Sequence, residues 1–330
     1  MKEIKVAIDA MGGDNAPVSQ IKCCEFLEDS DLRIYLIGDI ERIKKLMKKD
    51  LNSVEIINCS DFIRMDEKIT TNLLKRNTSM RIAIQMLKEK KVDFALSAGN
   101  TAAFVSVAIS ELGMVMGIDR PSIAVLLPNA IGGTTIFMDA GANVNPKPIH
   151  LFQSGLLGSL YSKIVFKIES PKVALLNVGT EETKGDELRR QAYKLLKENS
   201  RVNFIGNIEG HEIFTGKADV IITDGFTGNI VLKTSEGITR SFRTILMKEI
   251  RRNLLGNIGL LLISKNLRSF ARKADYAEYG GGILLGVDGN VVISHGRSSP
   301  RAIYNAIKLG KKIVESELLE IIKSTKWELE

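Results

Sequence analysis

VAIDAMGGD, residues 6–14, is a short apolar run that ends in a loop of glycine and aspartate. Seven other runs repeat the pattern: IYLIGD (34–39), DFALSAGNT (93–101), TIFMDAGAN (135–143), VALLNVGTEE (173–182), VNFIGNIEG (202–210), DVIITDGFTGN (219–229) and VVISHG (291–296). Helical periodicity follows most of them, which is the arrangement of a largely parallel sheet. Ligands of open α/β sheets bind beyond the carboxyl ends of the strands, so these polar loops are expected to face one another across a cleft. One segment breaks the alternation. IAVLLP (123–128) and TIFMD (135–139) are joined by a short Gly-containing loop, which predicts a hairpin and hence a mixed sheet. No Ser/Pro linker or fixed-period repeat divides residues 1–330, so the chain reads as a single α/β unit, or as two lobes sharing one core.

Two helices have legible starts. Thr183, three residues before Asp186, predicts a helix with Leu188, Ala192, Leu195 and Leu196 on one face. A longer helix is expected from near Gly228, with an apolar stripe of Val231, Ile238, Phe242, Ile245 and Leu246. Arg240, Arg243, Lys248 and Arg251 fall mostly off that stripe.

With 44% hydrophobic and 26% charged residues the chain can fill a core, and wholesale disorder is excluded. Cys23, Cys24 and Cys59 form no CxxC pair and no metal-ligand spacing with His150, His211 or His295. No metal site is expected, and a reducing cytoplasm is the simplest compartment. The apolar run at 6–10 is too short for the core of a signal peptide. The uncharged stretches 94–110 and 121–138 carry polar residues, glycines and prolines, so neither an export signal nor a bilayer span is expected. Walker A, GxGxxG and HExxH patterns are absent, which removes the main support for nucleotide hydrolysis or zinc proteolysis.

The net charge of +7 is local. Between Lys233 and Lys273, ten Lys/Arg stand against Glu236 and Glu249 alone. That argues against a broad nucleic-acid footprint and for one positive face with an acidic partner. Inside this region NLLGNIGLLLIS (253–264) is an apolar stretch flanked by Arg251-Arg252 and by Lys265, Arg268, Arg272 and Lys273. Too short to span a bilayer, segment 251–273 is built to lie in its surface through Leu254, Leu255, Ile258, Leu260, Leu261 and Leu262. A helical hairpin packed in the core or in a dimer interface is the alternative.

Gly12-Gly13 lets the backbone approach a ligand and present N–H donors to an anion. A Gly-Gly turn alone says little, but the order of the other loops is specific. The chain resembles the phosphate acyltransferases of the PlsX family nearly end to end: IDAMGGD with Ala16-Pro17, AGNT (98–101), Arg120-Pro121, DAGAN (139–143) with Lys147-Pro148, and LNVGTEETKG (176–185). It continues in family order with GNIEG (206–210), DGFTGNIVLK (224–233), Tyr279-Gly280-Gly281 with 284–286, and ISHG (293–296). It departs at Gly282-Ile283, where the family favours Ala-Pro, at Pro146 where Cys is common, and at Arg297 where Ser is usual.

The resemblance implies a three-layer α/β/α fold similar to the isocitrate and isopropylmalate dehydrogenases and to phosphotransacetylase, in a homodimer without a cofactor. It implies that inorganic phosphate attacks the thioester of a fatty acyl group on acyl carrier protein, giving acyl phosphate for phospholipid synthesis. The product would link a cytoplasmic enzyme to the inner face of the cell membrane. Such chemistry needs donors for a phosphate and for the charge that builds on the carbonyl oxygen. Lys184, placed at the start of a helix, is the leading catalytic candidate, with Asn229, Asp224 and His295 beside it. His295 also reads as a hydrogen-bonded core residue, and Asp9, Asp139 and Asp224 as structural residues that close strands. Phosphate and substrate contacts are expected at Asp9, Gly12, Gly13, Asn100, Thr101, Asp139, Asn143, Gly179 and Thr180, and carrier docking at Arg240, Arg243 and Lys248. Asn100-Thr101 and Gly228-Asn229 begin helices, where half the signal is ordinary capping. Cys23 or Cys24 as an acyl-accepting nucleophile is disfavoured by placement in the first helix. Another enzyme on the same scaffold, a short-chain phosphotransacetylase or a nicotinamide-dependent decarboxylating dehydrogenase, and a non-catalytic lipid-surface scaffold are the alternatives.

Overall fold

The computed structural model describes residues 3–27, 31–49, 51–252, 254–274 and 280–327, with backbone alone at 254 and 268–274. Tyr279 and the side chains of Leu254, Arg268, Arg272 and Lys273 therefore lie outside the described residues. The strands are β1 (Ile4–Asp9), β2 (Leu32–Gly38), β3 (Val54–Asn58), β4 (Phe94–Ser97), β5 (Ser122–Pro128), β6 (Thr134–Met138), β7 (Lys172–Leu176), β8 (Asn203–Ile208), β9 (Val220–Ile222), β10 (Gly282–Leu285) and β11 (Val291–Ile293). The helices are α1 (Val18–Cys24), α2 (Ile40–Leu46), α3 (Thr71–Lys75), α4 (Ser79–Lys88), α5 (Thr101–Leu112), α6 (Pro148–Val165), α7 (Glu187–Glu198), α8 (Gly225–Ile250), α9 (Leu254–Ala274), α10 (Pro300–Glu315) and α11 (Leu318–Ser324).

Every run singled out in the sequence is a strand, and the expected hairpin is β5–β6. Two strands were not anticipated. β3 is a half-exposed edge strand with no Gly loop behind it, and β10 is four residues enclosed by glycines. Among the described residues eleven strands join in one sheet, in the order β3-β2-β1-β4-β11-β10-β5-β6-β9-β7-β8.

Alternating side chains divide the core between the two faces, as period-2 strands require. Ala7, Ile37 and Ala95 face the side covered by α4 and α5, and farther along the same face Phe137 and Ile221 cluster with Val231 and Leu232 of α8. Val6, Ile8, Leu36 and Leu96 pack on α1 and α10, and Ile136, Met138, Val173 and Leu175 pack on α6 and α7. The result is a three-layer α/β/α fold.

The pairing corrects the idea of one common cleft edge. β10 is antiparallel to both β11 and β5, and β5 is antiparallel to β6. Hence β6, β7, β8 and β9 run opposite to β1, β4 and β11, and their carboxyl-end loops form a separate group.

Two helix starts also differ from expectation. Asp186, not Thr183, caps α7, its carboxylate accepting the Arg189 N–H at 2.9 Å after a turn at Gly185 with φ +86°. Lys184 consequently sits in the loop before the helix. Asp224 caps α8 by accepting the Thr227 N–H at 2.8 Å, so this helix starts at Gly225 and Gly228 lies in its first turn. Along the outer half of α8 the apolar stripe does not enter the core: Ile238, Phe242 and Ile245 are 64%, 59% and 67% exposed. There α8 leaves the body and packs with α9 as a helical hairpin.

Candidate functional site

The first loop group lies beyond β1, β4 and β11. Asp9 is buried at the end of β1, where Ser79 and Ser97 hydroxyls donate to it at 2.6 and 2.7 Å and the Met11 N–H at 3.2 Å. Burial pushes its carboxyl above the ordinary value, against those hydrogen bonds. Gly12 lies against it: a Cβ there would fall 2.4 Å from the Asp9 carboxylate and 2.8 Å from the Gly99 nitrogen. Gly13 has φ +108°, and the next N–H, of Asp14, donates to the Gly296 carbonyl at 2.7 Å. Asn100 caps α5, accepting the Ala103 N–H at 3.1 Å while its amide donates to the Met65 carbonyl at 3.0 Å, and Thr101 opens the helix. His295 is partly exposed beside Gly296; its Nδ1 accepts the Arg297 N–H at 3.2 Å and its Nε2 lies 3.8 Å from Glu236 on α8.

The second group lies beyond β6, β7 and β9. Asp139 is buried and accepts four backbone N–H groups, from Ile123, Gly141 and Ala142 on one oxygen and from Asn143 on the other, at 2.6–3.1 Å. Burial raises its carboxyl, and these donors oppose the shift. Asn143 donates its amide to the Pro121 carbonyl at 2.5 Å, and its own carbonyl accepts the Gly225 N–H at 2.7 Å. Gly228 lets α8 press on this loop, since a Cβ would stand 1.9 Å from the Asp139 carbonyl oxygen. Asn229 follows, exposed and next to Gly141.

Gly179, Thr180 and Lys184 complete this group. Lys184 folds back over Gly179, where an added Cβ would approach its Cγ to 2.9 Å, and its carbonyl accepts the Asn177 amide at 3.1 Å. The Lys184 ammonium and the Asn229 amide make no hydrogen bond or ion pair with a described residue. Asp224 is differently engaged: besides capping α8 it accepts the Thr227 hydroxyl at 2.7 Å and pairs with Arg189 at 2.5 Å. Its geometry is that of a framework residue.

Helix α8 joins the two groups. Asn229 and Glu236 are seven residues apart, two turns on the same face and about 10 Å along the axis. One end of the helix thus carries Asn229 beside Gly141, and its fourth turn meets His295 through Glu236. Residues 4–320 match the family model described as fatty acid synthesis protein. Phosphate acyltransferases from Thermodesulfovibrio yellowstonii and Wolinella succinogenes are 44% and 42% identical over 319 and 324 residues, spanning 96% and 97% of this chain and 92% and 97% of theirs. The chain belongs to the phosphate acyltransferase family.

Its fold is shared more widely. A phosphotransacetylase from Streptococcus pyogenes superposes with a TM-score of 0.62 at 17% identity, covering 97% of this chain and 95% of that one. A 4-hydroxythreonine-4-phosphate dehydrogenase from Klebsiella pneumoniae gives 0.52 at 12%, covering 95% and 100%. Both likenesses concern the fold alone. Family membership leaves the dehydrogenase and non-catalytic scaffold readings without support.

Around these two loop groups stand residues that the sequence reading did not single out. Arg189, in the first turn of α7 on the side of the buried Ala192 and Leu196, ties that helix to α8; Glu236 faces His295; Ser79 and Ser97 hold Asp9. None stands in a Gly-rich loop, so only their packing reveals them. Cys23 and Cys24 are buried in α1, where both thiols donate to the Gln20 carbonyl, at 3.0 and 3.2 Å; the adjacent Cys24 thiol together with burial drives the Cys23 thiol well above its ordinary value. Among the described residues no group of His, Cys, Asp or Glu could hold a metal ion.

Proposed function

We propose that the acyl donor of this phosphate acyltransferase is a fatty acyl thioester of acyl carrier protein, and that residues 1–330 act as one cofactor-independent catalytic unit within a cytoplasmic homodimer. A phosphate oxygen forms the new bond to the thioester carbon, the carbon–sulfur bond breaks, and the carrier thiol leaves with a proton. The observation that carries this reading is the pair of unengaged donors, Lys184 and Asn229, on a framework fixed by Arg189, Asp224 and Asp139. Donors already oriented toward the charge that develops on the carbonyl oxygen and phosphate lower the barrier, because they need not reorganise. Gly12, Gly13, Asn100, Thr101, Asn143, Gly179 and Thr180 are read as the walls that hold phosphate and thioester, and His295 as a contact to the donor.

Two features support the choice of donor. Arg240, Arg243 and Lys248 surround one depression of about 470 Å³ together with Arg251, a fit for an acidic carrier. Beyond it Leu255, Ile258, Leu261 and Leu262 on α9 are at least half exposed, as a peripheral contact with an anionic bilayer requires; Leu260 is half-buried. No described helix is long and apolar enough to cross a membrane. The direct test is to supply long-chain acyl carrier protein and phosphate. Acyl phosphate should appear at a rate that depends on both; thioester loss independent of phosphate, or preference for acetyl-coenzyme A, would refute the assignment.

A further inference from the structure

Between β7 and α7, the main chain around Lys184 is held by side chains of three elements. The Glu181 carbonyl accepts the Lys184 N–H at 3.1 Å, closing a turn, and also accepts the side-chain amide of Asn207 on β8 at 2.9 Å. The Lys184 carbonyl accepts the amide of Asn177, the residue after β7, at 3.1 Å, and the Gly185 carbonyl accepts Arg190 of α7 at 2.6 Å. Both asparagines are buried, at 6% and 4% exposure for Asn177 and Asn207. Asn177 works in two directions: its Oδ1 accepts the Val178 N–H at 2.8 Å while its Nδ2 donates to the loop. Gly185 permits the approach, since a Cβ there would stand 2.4 Å from the Asn177 Oδ1. Strand β8 is deformed to bring Asn207 in. From Val173 to Leu175 β7 advances two residues while β8 advances three, from Phe204 to Asn207, and Gly206 takes φ +97° inside this bulge. A bulge re-aims the side chains beside it. The Asn207 Oδ1 has no hydrogen-bond partner among the described residues. A buried amide left half-satisfied is costlier than an apolar side chain, so stability alone does not select asparagine here; its N–H to the loop does.

We propose that Asn177 and Asn207 are positioning residues for Lys184, with the β8 bulge aiming the second of them at the loop. The proposal rests on the donor role given to Lys184 above. The Lys184 N–H is bonded to a carbonyl that Asn207 holds, and the Lys184 carbonyl is held by Asn177, so the side chain alone is left to move. A donor that starts in place has less to reorganise as charge develops, and a misplacement of about 1 Å can cost about 100-fold in rate. Neutral amides suit the task, because a carboxylate there would draw the ammonium and a second cation would repel it.

The test deletes one donor at a time with little change of shape. Asn177→Asp keeps the acceptor for Val178 and loses the N–H to the Lys184 carbonyl; Asn207→Asp loses the N–H to the Glu181 carbonyl. Each is made alone and together with Lys184→Ala. Rates are measured on an acyl donor the enzyme turns over, and amide hydrogen exchange is followed across 178–185. Each single variant should lower kcat at least about tenfold with KM for the acyl donor within about threefold, and speed exchange in the loop by about tenfold. In the Lys184→Ala background the same substitutions should cost less than about twofold more, as residues acting through one another do. Losses that multiply in the double variants, full activity of both single variants, or loop exchange unchanged in both overturns the proposal. The neutral Asn177→Ser and Asn207→Ser replace an aspartate variant that fails to fold and are read the same way. If none of the four folds, the asparagines serve the fold rather than Lys184 and the proposal falls. Full activity of Lys184→Ala would instead overturn the donor role, and is told apart from failure of the asparagines because loop exchange is read without turnover.

Discussion

Arg189 on α7 closes a 2.5 Å ion pair on Asp224, the residue that caps α8. The same guanidinium reaches the Leu176 carbonyl at the end of β7 at 3.2 Å and Asp186, the cap of α7, at 2.7 Å. One side chain therefore fixes three elements on either side of the Lys184 loop, and both partners are nearly buried, at 13% and 8% exposure. Removing one member of such a pair leaves an uncompensated charge. Arg189→Ala should destabilise the fold by about 3–5 kcal/mol in urea titrations, with Arg189→Lys intermediate because an ammonium cannot reproduce the fork. A loss near zero would mean the pair is not formed in solution.

The pH dependence of this pair has a definite sign. Burial pulls the Asp224 carboxyl upward, but Thr227 and Arg189 outweigh it and hold the carboxyl below its ordinary value. A depressed folded pKa gives stability that is complete above the unfolded value, about 3.9, and is lost as pH falls through the folded one. The stability gap between the native enzyme and Asp224→Ala should accordingly narrow below about pH 4. Asp9 and Asp139 act in the opposite sense, since their raised pKa values make ionisation costly to the fold as pH climbs past the ordinary carboxylate range. A gap that stays constant down to strong acid would contradict the Asp224 geometry.

Lys184 carries none of the framework through its amine. Lys184→Ala should lower kcat about 100-fold or more while the thermal unfolding curve stays in place. If unfolding shifts as much as activity does, the lysine is structural and the donor role belongs elsewhere.

Packing of α8 on the Asp139 loop depends on the absence of a side chain at 228. A methyl group there would stand 1.9 Å from a backbone carbonyl oxygen, so Gly228→Ala should cost about 3 kcal/mol or more. Asp139→Ala should cost at least as much, because four buried N–H groups lose their acceptor at about 1–3 kcal/mol each. Soluble, normally melting proteins in both cases would show that the loop can relax.

For the proposed membrane contact, Leu255 and Leu262 are the clearest probes, both 81% exposed on α9. Their joint replacement by Glu should abolish co-sedimentation with anionic vesicles, since carboxylates oppose both the apolar and the electrostatic attraction, and leave turnover of soluble donor intact. Unfolding or dissociation of the double variant would assign the segment to packing between protein surfaces.

The positions of the strands other than β3 and β10 were determined by local sequence, because an apolar run ended by Gly, Asn or Asp has few other conformations available; VAIDAMGGD and DVIITDGFTGN needed no neighbours to be read. The resemblance carried by the ordered loops likewise lay in the sequence, where it pointed to the family. Other matters belong to the tertiary structure alone. The direction of β6, β7, β8 and β9 relative to β1 depends on β10, four residues that pair locally with β11 but also with β5, from Gly282–Leu285 back to Ser122–Val125. Arg189 looks like any solvated helix arginine until Asp224 is brought beside it, and Lys184 moves from helix start to loop because Asp186 is better placed than Thr183 to accept an N–H from the first turn. The apolar stripe of α8 is periodic whether it faces core, partner or ligand, since periodicity records which residues share a face. Only the tertiary structure shows that the outer part of this stripe leaves the core beside α9.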